Sequence, residues 1–286
     1  MGPDMLRDIQ GNGRGHTVVG TLFVESGWQT PGAEPAMAKV KEADMATDLH
    51  KQFPKLCQGI VAAVDLGLGA EVEPALAYYQ KNPMVKAIRH GVAFSADPAI
   101  FTPPQVTEDL AYDTKFREGL ALLKQYGFVY ETWNYHEQLE DIADLAKTFP
   151  EQTIVCDHLG LPLGLGHWKR EEVFPNWQVL MEELAKCPNV FVKIGGLGQR
   201  FFGFGFDERL SPPSSDELAM AWQPYVEHCI KVFGVDRCIM ESNFPIDKIS
   251  CSYTVCFNAL KKCVRSLSKE EKHKLFELNA RRAYGL

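Results

Sequence analysis

Residues 153–160 read Thr-Ile-Val-Cys-Asp-His-Leu-Gly and residues 190–194 read Val-Phe-Val-Lys-Ile, with a helical pattern around Phe174 to Lys186 between them. Two short β-branched runs bracketing a helix describe a strand–helix–strand unit, and runs this apolar belong to strands buried on both faces. Working outward, the same alternation recurs. Strands are expected at Thr17–Glu25, Cys57–Asp65, Val85–Phe94, Phe128–Tyr135 and Cys238–Ser242. Helices are expected at Ala36–Phe53, Glu71–Lys81, Glu108–Tyr126, Glu137–Phe149, Asp216–Phe233, Tyr253–Ser266 and Ser268–Tyr284. Seven βα units in series predict an α/β chain with a parallel sheet covered by helices. Two architectures fit, a doubly wound open sheet and a (β/α)8 barrel. The first would carry Gly-x-Gly-x-x-Gly after its first strand, and here that strand leads into Ser26-Gly27-Trp28. Seven units are one short of a closed barrel.

The composition sets the class. The chain has 286 residues, 45% hydrophobic and 23% charged, and a mean hydropathy of −0.18. That balance supports a sizeable core. No linker or composition shift divides it, so residues 1–286 are expected to form a single domain. The net charge of −7 comes without a basic cluster, which argues against a nucleic-acid or anionic-membrane partner. No apolar run approaches the ~20 residues of a membrane span. The start, Met-Gly-Pro-Asp-Met-Leu-Arg-Asp, holds no apolar signal core. Eight cysteines include no Cys-x-x-Cys pair and read as reduced, structural thiols. A soluble cytoplasmic protein is expected.

Several familiar chemistries are absent. There is no Gly-x-Ser-x-Gly elbow, no phosphate loop and no His-Glu-x-x-His pair. In either parallel architecture the active site lies at the carboxyl ends of the strands. The polar residues there are Glu25, Asp65, Arg89 with His90, Glu131 with Trp133 and Tyr135, Asp157 with His158, Lys193, and Glu241 with Asn243 and Asp247. So many ionisable strand ends are costly in a purely structural core. His158 stands out, because a strand-end imidazole can act as acid or base or bind a metal. By simple alternation Asp157 should face the helices, and only one of Arg89 and His90 can face inward. Lys193 sits in a buried strand and needs a partner or an anion. Glu241 and Asn243, two apart, share a strand face. The glycines of Gly195-Gly196-Leu197-Gly198 could let backbone approach a ligand.

Taken together, residues 18–25, Lys86–His90, Thr153–Gly160, Asn189–Gly198, Cys238–Lys248 and Lys272–Leu286 resemble the amidohydrolase-related family of TIM-barrel hydrolases. The nearest branch is that of lactonases and 2-pyrone-4,6-dicarboxylate hydrolase-like proteins. The resemblance implies a (β/α)8 barrel lacking its first strand, the one that carries His-x-His in the family. It also implies that Asn243 stands where the family presents an Asp, and a carboxamide takes up no proton at neutral pH. Glu241 or Asp247 would then activate water while His158 polarises the carbonyl or protonates the leaving oxygen. The catalytic candidates are therefore His158, Glu241, Asn243 and Asp247. The substrate-binding candidates are Arg89, His90, Trp133, Tyr135, Lys193, Arg200 and Lys248, whose cations suit an anionic small molecule.

The expected reaction is hydrolysis of a lactone, or a related C–O or C–N bond, in a carboxylated small molecule. The alternatives are a metal-dependent decarboxylase of the same superfamily and an inactive barrel used for binding. The resemblance leaves open one divalent ion, zinc or manganese with His158 as a ligand, or none. Homo-oligomerisation is likewise left open.

Overall fold

A computed structural model of the chain describes residues 2–11 and 15–286. Seven strands form one sheet: β1 (Leu22–Val24), β2 (Gly59–Ala63), β3 (Val85–Arg89), β4 (Val129–Thr132), β5 (Ile154–Cys156), β6 (Val190–Ile194) and β7 (Cys238–Met240). They lie in chain order, β1 to β7, and every neighbouring pair is parallel. A doubly wound sheet reverses its strand order at a switch point; this one never does. The sheet also curls. Val61 of β2, Ala87 of β3, Val155 of β5 and Ile239 of β7 share one buried cluster. In a flat sheet at ~4.8 Å per strand, β2 and β7 would lie about 24 Å apart. The architecture is thus a curled part-barrel of seven strands, with no β1–β7 pairing among the described residues.

Helices clothe the outside: α1 (Gly2–Gln10), α2 (Val40–Gln52), α3 (Glu73–Gln80), α4 (Thr114–Tyr126), α5 (Leu139–Thr148), α6 (Arg170–Ala185), α7 (Ser215–Phe233), α8 (Tyr253–Cys263), α9 (Lys269–His273) and α10 (Asn279–Tyr284). Their inner faces bury against the outward residues of the strands, among them Ile60, Ile88, Tyr130, Ile154, Val192 and Cys238. Two expected helix starts move for local reasons, and one expected helix is interrupted. The helix expected from Glu108 starts at Thr114, because the Asp113 carboxylate accepts the Phe116 N–H at 2.9 Å and caps it there. The helix expected from Ala36 starts at Val40, after a short turn at Pro35–Met37. The last helix is interrupted by a wider π turn over Lys274–Leu278.

Two features were not anticipated. The first expected strand, Thr17–Glu25, pairs only over Leu22–Val24. Helix α1 also covers the open side of the sheet. Its Met5, Leu6 and Ile9 pack with Leu49 and Phe53 beyond β1, and with Phe244, Tyr253 and Phe257 beyond β7. Asp8 on α1 pairs with Lys248 at 2.7 Å. Unpaired strand edges invite pairing with other chains, and a helix laid across them blocks that.

All eight cysteines are buried and free. Among the described residues, no helix is long and apolar enough to cross a membrane.

Candidate active site

A single periodicity places the site. The residues that face the inside of the curl include Ala87, Val129, Val155, Phe191 and Ile239. Because side chains alternate along a strand, the inward residue two positions further on is Arg89, Glu131, Asp157, Lys193 and Glu241 respectively. One apolar layer therefore carries one ionic layer above it, toward the carboxyl ends of the strands. Ala280, Ala283 and Tyr284 from the terminal segment fill the inside below.

The ionic layer is a closed network. Lys193, buried with its side chain 7% exposed, places Nζ 2.8 Å from Glu131 Oε1, 2.9 Å from Asp157 Oδ1 and 3.7 Å from Glu241 Oε2. Arg89 Nε donates to Glu25 Oε1 at 2.8 Å, and its Nη1 donates to Asp157 Oδ2 at 3.1 Å. The Tyr284 hydroxyl donates to Glu131 Oε2. Burial pushes against ionisation of Asp157, but Lys193, His158 and Arg89 outweigh it and hold the carboxyl down at about 2. Glu131 goes the other way: burial and the nearby Asp157 charge raise it to about 7 against the pull of Lys193 and Arg89.

Asp157 thus faces the interior, not the helices. It keeps the phase of Val155, and it is His158 that breaks the alternation. The chain leaves β5 through a left-handed turn, with φ of 50° at His158, 58° at Leu159 and 39° at Leu161. That region costs roughly 1–2 kcal/mol for each L-residue outside glycine. Strain of this kind collects at functional sites, and here it swings the imidazole to the head of β7. There His158 Nδ1–H donates to Glu241 Oε1 at 2.5 Å. Since a carboxylate only accepts, Nδ1 carries the hydrogen, and no protein hydrogen bond engages Nε2 among the described residues. Burial lowers the imidazole pKa, yet the Glu241 charge and hydrogen bond reverse this, and the net direction is upward.

Asn243 at the exit of β7 also has a left-handed backbone, with φ of 50°. Its side-chain amide donates to Asp247 Oδ1 at 2.7 Å, while the Gly198 N–H donates to Asp247 Oδ2 at 2.9 Å. Asp247 is fully buried, and burial lifts its carboxyl to about 7 despite those two donors and the nearby His158. A carboxyl therefore sits one hydrogen bond away from the amide at the strand end.

The glycines of the β6 exit loop make this convergence sterically feasible. A Cβ on Gly195 would lie 2.3 Å from Glu241 Cγ, one on Gly196 2.6 Å from His158 Nδ1, and one on Gly198 2.9 Å from the Asp247 carboxyl. The loop thus admits the side chains of Glu241, His158 and Asp247. Gly196→Ala, at φ +68°, is expected to displace His158, cost ~1–2 kcal/mol in backbone strain alone, and reduce turnover at least tenfold; urea melts and steady-state rates check both.

The other candidates lie around this centre. Trp133 and Tyr135 belong to an aromatic string, with ring centroids 6.4 Å apart for Phe101–Trp133, 5.6 Å for Trp133–Tyr135 and 5.8 Å for Tyr135–Phe201. His90 faces away from the ionic layer, accepting the Leu66 N–H at 2.9 Å and lying against Phe116. Burial outweighs the Asp65 charge and pushes its pKa down to about 4. Arg200 is largely exposed, 3.9 Å from Asp207, and Lys248 is held by Asp8 on α1. Sequence reasoning missed Tyr284 altogether. No local signal links it to Glu131, 153 positions away.

A bound divalent ion can be tested against the donors present. Among the described residues, no three His, Cys, Asp or Glu side chains are grouped to hold one. The reason is chemical: the converging carboxylate oxygens already surround the Lys193 ammonium, and His158 Nδ1 is engaged by Glu241. These residues, as they stand, do not fit a metal centre.

The sequence matches the amidohydrolase family over residues 19–286. The chain belongs to that family. It is 29% identical over 283 residues to the uncharacterized protein y4mH of Sinorhizobium fredii, a match covering 98% of this chain and 85% of that one. It is 26% identical over 212 residues to an L-fucono-1,5-lactonase of Burkholderia multivorans, covering 72% of this chain and 64% of the lactonase. The match thus spans less than two thirds of that enzyme's length. An amidohydrolase from Burkholderia multivorans, solved with bound HEPES, shares the fold with a TM-score of 0.78 at 20% identity, over 99% of this chain and 88% of that one. A second crystal form, with bound zinc, superposes at 0.77.

Proposed function

We propose that this protein hydrolyses a lactone, with Asp247 as general base and His158 as general acid. The observation that carries the reading is two hydrogen-bonded pairs, four groups in all, set at the exits of two strands. Glu241 holds His158 by Nδ1 at 2.5 Å, and the Asp247 carboxyl lies beside Asn243 at 2.7 Å. Ionised Asp247 takes a proton from water as the hydroxyl attacks the lactone carbonyl carbon. His158, whose pKa the Glu241 charge raises, donates from Nε2 to the ring oxygen as the acyl C–O bond breaks. Each role wants a pKa near the working pH. The similarity to an L-fucono-1,5-lactonase supports the same bond class.

The expectation of a carboxylated substrate rested on four cations. Each of them, Arg89, Lys193, Arg200 and Lys248, faces a carboxylate of the chain. We therefore favour a lactone without a charged substituent, its ring lying against the Phe101–Trp133 aromatic pair. A pH-stat panel of neutral sugar lactones and pyrone dicarboxylates tests this. Proton release from the neutral members supports the proposal. Release confined to the dicarboxylates would overturn the substrate class, and CO2 evolution without acid release would point to a decarboxylase. No turnover by folded protein would contradict the hydrolase reading for this chain.

A further inference from the structure

We propose that the Lys193 ammonium is the resident cation of this site, filling the point on which three carboxylates converge, so that a divalent metal binds there only when that ammonium is removed. The inference concerns occupancy and does not depend on the reaction assigned above.

The geometry is specific. Glu131, Asp157 and Glu241 come from β4, the exit of β5 and the exit of β7, and each divides its two oxygens in the same way. One oxygen faces Lys193 Nζ: Glu131 Oε1 at 2.8 Å, Asp157 Oδ1 at 2.9 Å and Glu241 Oε2 at 3.7 Å. The other is taken by a separate donor: Tyr284 for Glu131, Arg89 for Asp157 and His158 for Glu241. The outer donors fix the carboxylates so that three oxygens aim at one position. That position is buried, and an isolated carboxylate there would be heavily penalised.

The ammonium does not satisfy this position fully. Asp157 Oδ1, in a side chain with no exposure, lies within ion-pairing distance of Nζ yet outside hydrogen-bond geometry. An ammonium donates three hydrogens in tetrahedral directions, whereas a metal ion imposes no such direction on its oxygen ligands. With the ammonium gone, three carboxylate oxygens would be left facing one buried point without a compensating charge, and a hard divalent cation such as Mn2+ is the kind of ion such oxygens attract. Lys193 supplies one positive charge there and its chain fills the space. Truncating it removes both.

The test uses the full chain, with Mn2+ as the probe. Wild-type protein dialysed against Mn2+ should retain far less than one ion per chain, and EDTA should leave its Tm unchanged. Lys193→Ala should retain about one Mn2+ per chain, with Tm rising by roughly 5 °C or more at saturating ion. Lys193→Met, which keeps the bulk without the charge, should bind much less. If Lys193→Ala is unfolded alone, Mn2+ should restore its folded circular dichroism where Na+ does not. A stoichiometric, EDTA-removable ion in the wild type would overturn the proposal. So would a folded Lys193→Ala that takes up no more Mn2+ than the wild type, or an unfolded one that Mn2+ fails to rescue.

Discussion

His158→Ala is expected to lower kcat/KM for lactone opening by about 10²–10⁴, the range general acid–base groups contribute, while leaving the fold intact. The imidazole hangs from the turn after β5 and donates to Glu241, so truncation removes the proton donor without breaking the ion pairs of Lys193. Steady-state rates with near-unchanged urea midpoints are the expected pair of results. Glu241→Gln should give a smaller loss and a different pH dependence. The amide still accepts from Nδ1–H but no longer supplies the charge that raises the imidazole pKa. Equal losses in both variants, without pH change in the second, would remove Glu241 from the positioning role.

The second large effect is on stability. Arg89→Met should cost about 3–5 kcal/mol at neutral pH, as removal of one partner from a buried ion pair does. Its guanidinium joins Glu25 to Asp157, and all three side chains are less than one-fifth exposed. The sign with pH is fixed by the shifts. Burial opposes ionisation of both carboxyls, but Arg89 chiefly holds Glu25 below its ordinary value, and Asp157 is held at about 2 with the help of Lys193. Carboxylates depressed in the folded state stabilise it above their unfolded pKa of about 4 and lose that contribution as pH falls further. The wild type should therefore lose stability between about pH 4 and 2. The gap between wild type and Arg89→Met should be widest at neutral pH and should narrow across that same window. Urea unfolding at pH 7 and pH 3 measures it; a gap that is constant or widens on acidification would contradict the network.

Much of this was legible from the sequence. The β-branched runs gave the seven strands and their order, because parallel strands buried on both faces leave that signature. The run Val190–Ile194 matches β6 residue for residue. Local pattern alone left two parallel architectures open; the family resemblance pointed to the barrel short of one strand, and the unreversed strand order agrees with it. The site was legible as a set of strand-end residues but not as a geometry. Alternation counted from His158 sends Asp157 outward; counted from Val155 it sends Asp157 inward. The left-handed backbone at His158 decides between them, and φ of 50° at a non-glycine residue has no sequence signature. The same limit hid the hydrogen bond from the Asn243 amide to Asp247, which closes through a turn, although both residues were visible as candidates. The glycines at 195, 196 and 198 were visible, but that they lie against the side chains of Glu241, His158 and Asp247 was not. Tyr284 was out of reach, since its partner Glu131 lies most of the chain away.

The most direct test of the acid–base assignment is the pH dependence of kcat/KM for a neutral lactone, compared between wild type and Asp247→Asn. Burial raises the Asp247 carboxyl to about 7, and a base works only when deprotonated. The wild-type rate should climb about tenfold per pH unit below about 7, then fall again at higher pH as His158 loses the proton it must donate. Asp247→Asn should lose about 10²-fold or more in rate, together with that limb. A wild-type profile that is flat from pH 5 to 8, or an Asp247→Asn variant that retains the wild-type limb and rate, would contradict Asp247 as the base.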